Sequence, residues 1–220
     1  MNFGELGLQT ASKLASIRIV PVLVLNSVED GMKMCAVLDR CGLRAAEITF
    51  RTAAAEDVIR AAAKEFPSLY LGVGTILNVK DLHRAFDAGA KFAVAPGFNP
   101  TVVREAVNNG FAFAPGICTP SEIEQACELG CRFLKFFPAE AAGGLKLLKA
   151  ISAPYKHLGL RFMPTGGVTA SNAADYLAVK EIAAVGGTWL GKSAEIEAGN
   201  WAGIEATVRE AVALAAKLSV

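Results

Sequence analysis

The chain has 220 residues, 53% of them hydrophobic, with 22 Lys and Arg against 21 Asp and Glu for a formal net charge of +1. A mean hydropathy of +0.38 points to a compact chain with a substantial buried core and excludes a disordered polar segment, while a single-domain length leaves no room for two ordinary domains and a linker. Basic residues are scattered rather than gathered in runs, so no nucleic-acid partner and no acidic membrane surface is expected.

The N-terminal stretch has an acidic residue ahead of its apolar run and no basic region leading to a small-residue cleavage site. No apolar run reaches the roughly 18 residues of a membrane span. The expectation is a soluble, cytoplasmic protein. Its five cysteines are odd in number and form no C-x-x-C, which favours reduced thiols over a disulfide framework or a zinc ribbon.

In chain order the pattern opens with a helix over Phe3–Ala15, then a strand at Ile19–Leu25 and a helix at Val28–Cys41. Further strands are expected near Ala45–Phe50, Tyr70–Gly74, Phe92–Ala95, Ala112–Pro115, Phe133–Phe137, Arg161–Thr165 and Ile182–Val185. The amphipathic stretches between them are Ala54–Glu65, Val79–Ala88, Thr101–Asn109, Ser121–Leu129, Gly144–Ile151 and Ala170–Val179, and Trp201–Leu218 follows the last strand. Short β-branched and aromatic strings recurring at intervals of about twenty residues, each followed by a helical period, imply parallel pairing. Eight such units in one domain spanning residues 1–220 predict a (β/α)8 barrel with an extra N-terminal helix. A doubly wound open sheet is the alternative, but the first strand is followed by no G-x-G-x-x-G fingerprint.

Strand parity then assigns faces. Glu47, Thr49 and Arg51 share one face and Ala46, Ile48 and Phe50 the other, so the polar set is expected in the lumen. The same rule puts Lys135 on a face with Phe133 and Phe137, with Leu134 and Phe136 turned to the helices. A lysine inside an apolar strand must be paired or lose its proton, and a neutral lysine is a nucleophile toward ketones and aldehydes. Snorkelling to water is the structural alternative for this lysine, and a lumen ion pair with Arg51 is the one for Glu47. Thr75 and Thr165 end the third and seventh strands at the mouth where barrel enzymes place their chemistry. The strings Pro164-Thr165-Gly166-Gly167-Val168 and Val185-Gly186-Gly187-Thr188-Trp189 are expected in the exits of the last two strands, where backbone amides can hold phosphate. The two histidines, His83 and His157, lie in helix-like or loop segments without ligand spacing, so no metal is expected.

In combination, Glu47-x-x-x-Arg51, Gly72-Val73-Gly74-Thr75 with Leu77-Asn78, Ala95-Pro96-Gly97, Lys135-Phe136-Phe137-Pro138-Ala139-Glu140 and the two glycine strings resemble the bacterial 2-keto-3-deoxy-6-phosphogluconate (KDPG) aldolase family. The resemblance runs from about Ile19 to the last helix. It implies that Lys135 forms a Schiff base, that Glu47 is the general acid/base, and that Arg51 and Thr75 hold the pyruvyl carboxylate. Phe137 would pack beside the imine, and Gly166, Gly167 and Thr188 would receive the phosphate, with Thr165 and Gly187 beside them. Thr188 stands where relatives carry serine and adds a methyl while keeping the hydroxyl. The resemblance further implies a phosphorylated 2-keto acid as substrate, a cofactor-free enzyme and a homotrimer. In the chemistry so implied, Arg51 also uses its fixed charge to disfavour the ammonium form of Lys135. Another phosphate-binding barrel enzyme, an isomerase or thiamin-phosphate synthase-like transferase, would share the glycine strings without needing Lys135. A non-catalytic barrel that binds a phosphorylated sugar acid is the third reading.

Overall fold

A computed structural model describes residues 2–218. Its strands are β1 (Ile19–Leu23), β2 (Ala45–Thr49), β3 (Tyr70–Gly74), β4 (Phe92–Val94), β5 (Phe113–Ala114), β6 (Gly116–Ile117), β7 (Phe133–Phe136), β8 (Arg161–Pro164) and β9 (Val185–Gly187). Eleven α-helices alternate with them among the described residues: α1 (Phe3–Ala15), α2 (Val28–Cys41), α3 (Ala55–Glu65), α4 (Val79–Asp87), α5 (Pro100–Asn108), α6 (Pro120–Glu128), α7 (Ala139–Ala142), α8 (Gly144–Ser152), α9 (Ala173–Leu177), α10 (Ser193–Glu197) and α11 (Trp201–Lys217). Local chemistry sets the boundaries. Ser27 caps α2 by accepting from the amide of Asp30, and Gly42 ends that helix in the left-handed conformation at φ 79°; Thr119 and Glu122 form a reciprocal capping box on α6.

All the ladders are parallel, in the orders β5-β4-β3-β2-β1-β9 and β6-β7-β8. Two links close them into the expected (β/α)8 barrel. Phe162 bridges Ile182 and Thr165 bridges Gly186 on one side. On the other, β5 and β6 are two halves of one strand. That fifth strand was expected unbroken, but Pro115 has no N–H to donate and interrupts the ladder; its carbonyl still accepts from the amide of Lys135 at 2.9 Å.

Parity along the strands separates two cores. Leu23, Ala46, Ile48, Leu71, Val73, Leu134 and Phe136 join the large cluster beneath the helices. Val20, Ala45, Phe92, Val94, Phe133, Met163 and Ala183 fill the lumen with Ala11 and Leu14 of α1. The extra N-terminal helix therefore stoppers the barrel, and Thr10 reinforces it through a 3.2 Å hydrogen bond with Tyr70. Full burial of an apolar side chain such as Leu14 or Phe133 stabilises by about 1.5–3 kcal/mol.

Three expectations need correction besides the split fifth strand. The last strand lies at Val185–Gly187 rather than Ile182–Val185, with Ile182 only in an isolated bridge. Gly186 and Gly187 are thus ladder residues paired with Val20 and Pro21, not a loop. Strand propensity hid them, because glycine is a weak strand former. The helix expected over Ala170–Val179 is confined to Ala173–Leu177. The short helices α7 and α10 and the 3-10 segment Ala153–Leu158 lacked the length for a legible period.

Candidate active site

Lys135 sits on the lumen face of β7 above Phe133, 4% exposed. It does not snorkel. Its Nζ donates to Glu47 Oε1 at 2.9 Å and to Oε2 at 3.1 Å, across the lumen from a strand that is not its neighbour in the sheet. Glu47 is 1% exposed. An ammonium and a carboxylate removed from water in this way hold each other, and either alone there would carry a desolvation cost of several kcal/mol. Passing one proton along the 2.9 Å contact leaves an amine facing a carboxylic acid, the pair needed to add to a carbonyl and to expel water.

The space for this pair comes from β3. A Cβ at position 74 would lie 1.9 Å from Glu47 Oε1, so only glycine lets the carboxylate reach Lys135. In the sequence Gly74 stands only within the Gly72-Val73-Gly74-Thr75 motif and has no assigned role in the site; its alternation with Gly72 on the lumen face was the available signal. The Phe137 ring lies 5.8 Å from Lys135 Nζ, measured to its centroid, and supplies an apolar wall.

Arg51 departs from both of its expected pairings. It lies exposed in the turn beyond β2, and its Nε donates to Thr75 Oγ1 at 3.0 Å. The alternative lumen ion pair of Glu47 with Arg51 is overturned, because Lys135 is the cation on Glu47. The expected influence of Arg51 on the Lys135 ammonium has no contact behind it, and the charge facing that ammonium is a carboxylate. Thr75 holds a left-handed backbone with φ 62°, an outlier for a β-branched residue and a form of strain that clusters at functional sites. Here that backbone accompanies a hydroxyl presented to Arg51.

Thr165, just past β8, is 4% exposed, and its Oγ1 is buried without a partner among the described residues. Parity with Met163 aims it into the lumen. A Cβ at position 186 would meet that Oγ1 at 2.3 Å, so the glycine in β9 exists to admit the threonine. A buried hydroxyl left unsatisfied costs about 1–3 kcal/mol and calls for a ligand oxygen or a water.

Gly166 and Gly167 follow with φ of 99° and 81°. The amides of Gly167, Val168 and Thr188 donate to no backbone acceptor among the described residues, and Gly167 and Thr188 are exposed. They form a set of donors open to an anion at the mouth. Gly187 is not part of that open set. It is buried in β9, where a Cβ would fall 1.6 Å from the Trp189 ring, so it serves the return of Trp189. The histidines are both exposed, with His83 bonded to Glu105 at 2.8 Å.

Residues 10–207 match the family of KDPG and KHG aldolases. The 2-dehydro-3-deoxy-phosphogluconate aldolase of Haemophilus influenzae is 41% identical over 204 residues, covering 93% of this chain and 95% of its own length. Among solved structures, the 2-keto-3-deoxy-6-phosphogluconate aldolase of Zymomonas mobilis, crystallised with 3-phosphoglycerate, superposes with a TM-score of 0.86 at 34% identity, covering 94% of this chain and 96% of the other. The KDPG aldolase of Legionella pneumophila, which holds pyruvate as a covalent carbinolamine, superposes with a TM-score of 0.85 at 30% identity, covering 90% and 96%.

Proposed function

The chain belongs to the KDPG and KHG aldolase family, and from that premise we propose that Lys135 and Glu47 carry its chemistry. The protein is a Schiff-base carbon–carbon lyase that cleaves KDPG to pyruvate and glyceraldehyde 3-phosphate. Neither the isomerase or transferase reading nor the non-catalytic one is favoured. The observation that supports the residue assignment is the buried contact of 2.9 Å between Lys135 Nζ and Glu47 Oε1.

In this reading Lys135, as the amine, adds to the C2 ketone, and loss of water gives an iminium. The iminium accepts the electron pair of the C3–C4 bond as that bond breaks. Glu47, directly or through a water, takes the proton of the C4 hydroxyl, and glyceraldehyde 3-phosphate departs. The enamine left on Lys135 takes a proton at C3 from Glu47, and hydrolysis then releases pyruvate and the free amine. Arg51 offers its planar fork to the pyruvyl carboxylate, held in place by Thr75. Thr165 offers the orphaned hydroxyl to the same end of the substrate, and Phe137 keeps water from the imine. The amides of Gly167, Val168 and Thr188, in the turn that Gly166 opens, take the phosphate. 4-Hydroxy-2-oxoglutarate shares the reacting end without the phosphate and is cleaved by the same steps. We also assign the chain a cytoplasmic setting and a homotrimer. The family resemblance and five unbridged cysteines support the first, and the resemblance with exposed Leu77 and Phe86 supports the second.

Trapping with borohydride in the presence of pyruvate tests the assignment. One reduced pyruvyl adduct per chain is expected, on Lys135, with permanent loss of activity. An adduct on another lysine, or none, rejects it.

A further inference from the structure

Behind the Gly166–Gly167 loop lies a half-buried contact that the reaction does not use. Tyr176, on α9, is 2% exposed and among the largest fully buried side chains, so its ring cannot swing. Its hydroxyl donates to Oε1 of Glu140 on α7. Burial first, and the Glu140 carboxylate second, hold the phenol well above its ordinary range, which fixes it as the donor.

Glu140 is bound into the loop from its own backbone. Its amide donates to Gly166 O at 2.9 Å, and the amide of Ala139 donates to Thr165 O at 2.8 Å. From the far side, Asn172 Nδ2 donates to Gly167 O at 3.3 Å. A Cβ at position 167 would lie 2.6 Å from Glu140 Cβ, so the stem of the glutamate lies against Gly167. Glu140 is nonetheless exposed. An exposed carboxylate therefore stands beside the loop whose amides await an anion. If it could rotate freely, it would compete for those amides and repel a phosphate approaching them.

We propose that the Tyr176–Glu140 contact is a tether that keeps the Glu140 carboxylate off the amides of the Gly167 loop and so makes the site selective for a phosphorylated substrate. The proposal rests on the assignment of this loop to the substrate phosphate. Tyr176 and Glu140 are positioning residues, acting through the loop and touching neither the reacting carbons nor Lys135.

The test compares Tyr176→Phe, Glu140→Gln and the double variant in the full-length enzyme, with KDPG and with 4-hydroxy-2-oxoglutarate, which lacks the phosphate. Tyr176→Phe should raise KM for KDPG about fivefold to twentyfold, the scale of one contested hydrogen bond to a charged group. Its kcat for KDPG, and both constants for 4-hydroxy-2-oxoglutarate, should remain within twofold of the parent, about the margin of a neutral substitution. Inhibition of 4-hydroxy-2-oxoglutarate cleavage by inorganic phosphate should weaken in parallel. Glu140→Gln keeps an acceptor for Tyr176 and removes the competing charge, so its KM for KDPG should not exceed the parental value. The double variant should recover that value as well. Equal losses on both substrates, an unchanged KM for KDPG in Tyr176→Phe, or no recovery in the double variant would each overturn the tether. A parent enzyme that is indifferent both to the substrate phosphate and to inorganic phosphate would instead remove the loop assignment, and the tether with it.

Discussion

Gly74→Ala adds one methyl group far from solvent and tests how closely Glu47 must meet Lys135. Gly74 is absent from the positive-φ glycines, so alanine meets no backbone penalty and the effect lies in the contact. The new carbon would sit 1.9 Å from Glu47 Oε1, and an ordinary carbon–oxygen contact of about 3.4 Å requires the carboxylate to retreat by about 1.5 Å. The two bonds to Lys135 measure 2.9 and 3.1 Å, and little of a hydrogen bond survives at 3.6 Å. Displacement of a reacting group by about 1 Å costs on the order of a hundredfold in rate, equivalent to about 2.7 kcal/mol in the barrier. The assay is kcat for KDPG cleavage beside a thermal melt and borohydride trapping with pyruvate. The expected result is a folded protein whose Lys135 is still trapped, slowly, with kcat down by about that factor. A folded Gly74→Ala protein with parental kcat would refute the reasoning, because Glu47 could then move that far without consequence.

Glu47→Gln should still be trapped by borohydride, while exchange of the pyruvate methyl protons with deuterated water slows by about 10²- to 10⁴-fold; exchange at the parental rate, followed by NMR, would remove Glu47 as the base. Thr188→Ala should raise KM for KDPG by the equivalent of about 0.5–1.5 kcal/mol, or up to about 3 kcal/mol if the hydroxyl meets a charged phosphate oxygen, and leave 4-hydroxy-2-oxoglutarate kinetics in place. Burial pushes the thiols of Cys35 and Cys131 from 9.0 up to about 12. The native state therefore resists their ionisation while the unfolded chain does not, so stability is intact below pH 9 and falls as pH rises toward about 12. Melting temperatures over that range should show a shallower decline in the Cys35→Ala/Cys131→Ala double variant.

Much of this architecture was legible because periodicity reports burial, and burial dominates a barrel. The alternation in Ala45–Thr49 separated Glu47 from Ala46 and Ile48, and that in Phe133–Phe136 separated Lys135 from Leu134 and Phe136, as the two cores confirm. Pairing across the lumen was not legible, since Lys135 and Glu47 lie 88 positions apart and Arg51, only four positions from Glu47 in the sequence, was the more obvious partner. Distance along the chain says nothing of which groups meet across a closed sheet. The glycines of β9 were misplaced for a related reason. A Gly-Gly pair commonly marks a turn, but Gly186 and Gly187 are small to admit Thr165 and Trp189, neighbours that only the folded chain reveals. Helices α7 and α10, of four and five residues, were too short to show a helical period.

The stopper formed by Ala11 and Leu14 makes the reaction chamber a well with a single entrance. Everything that arrives at Lys135 and everything that leaves must pass the same rim, where Thr188 and Gly167 stand. In the proposed mechanism the phosphorylated fragment lies nearer that rim and the pyruvyl fragment stays bonded to Lys135, so departure has a fixed order: the aldehyde first, pyruvate second. The reverse traffic obeys the same queue, with pyruvate entering and bonding before an aldehyde can be accepted. The covalent bond to Lys135 sets that order, and the single entrance makes both fragments use one path.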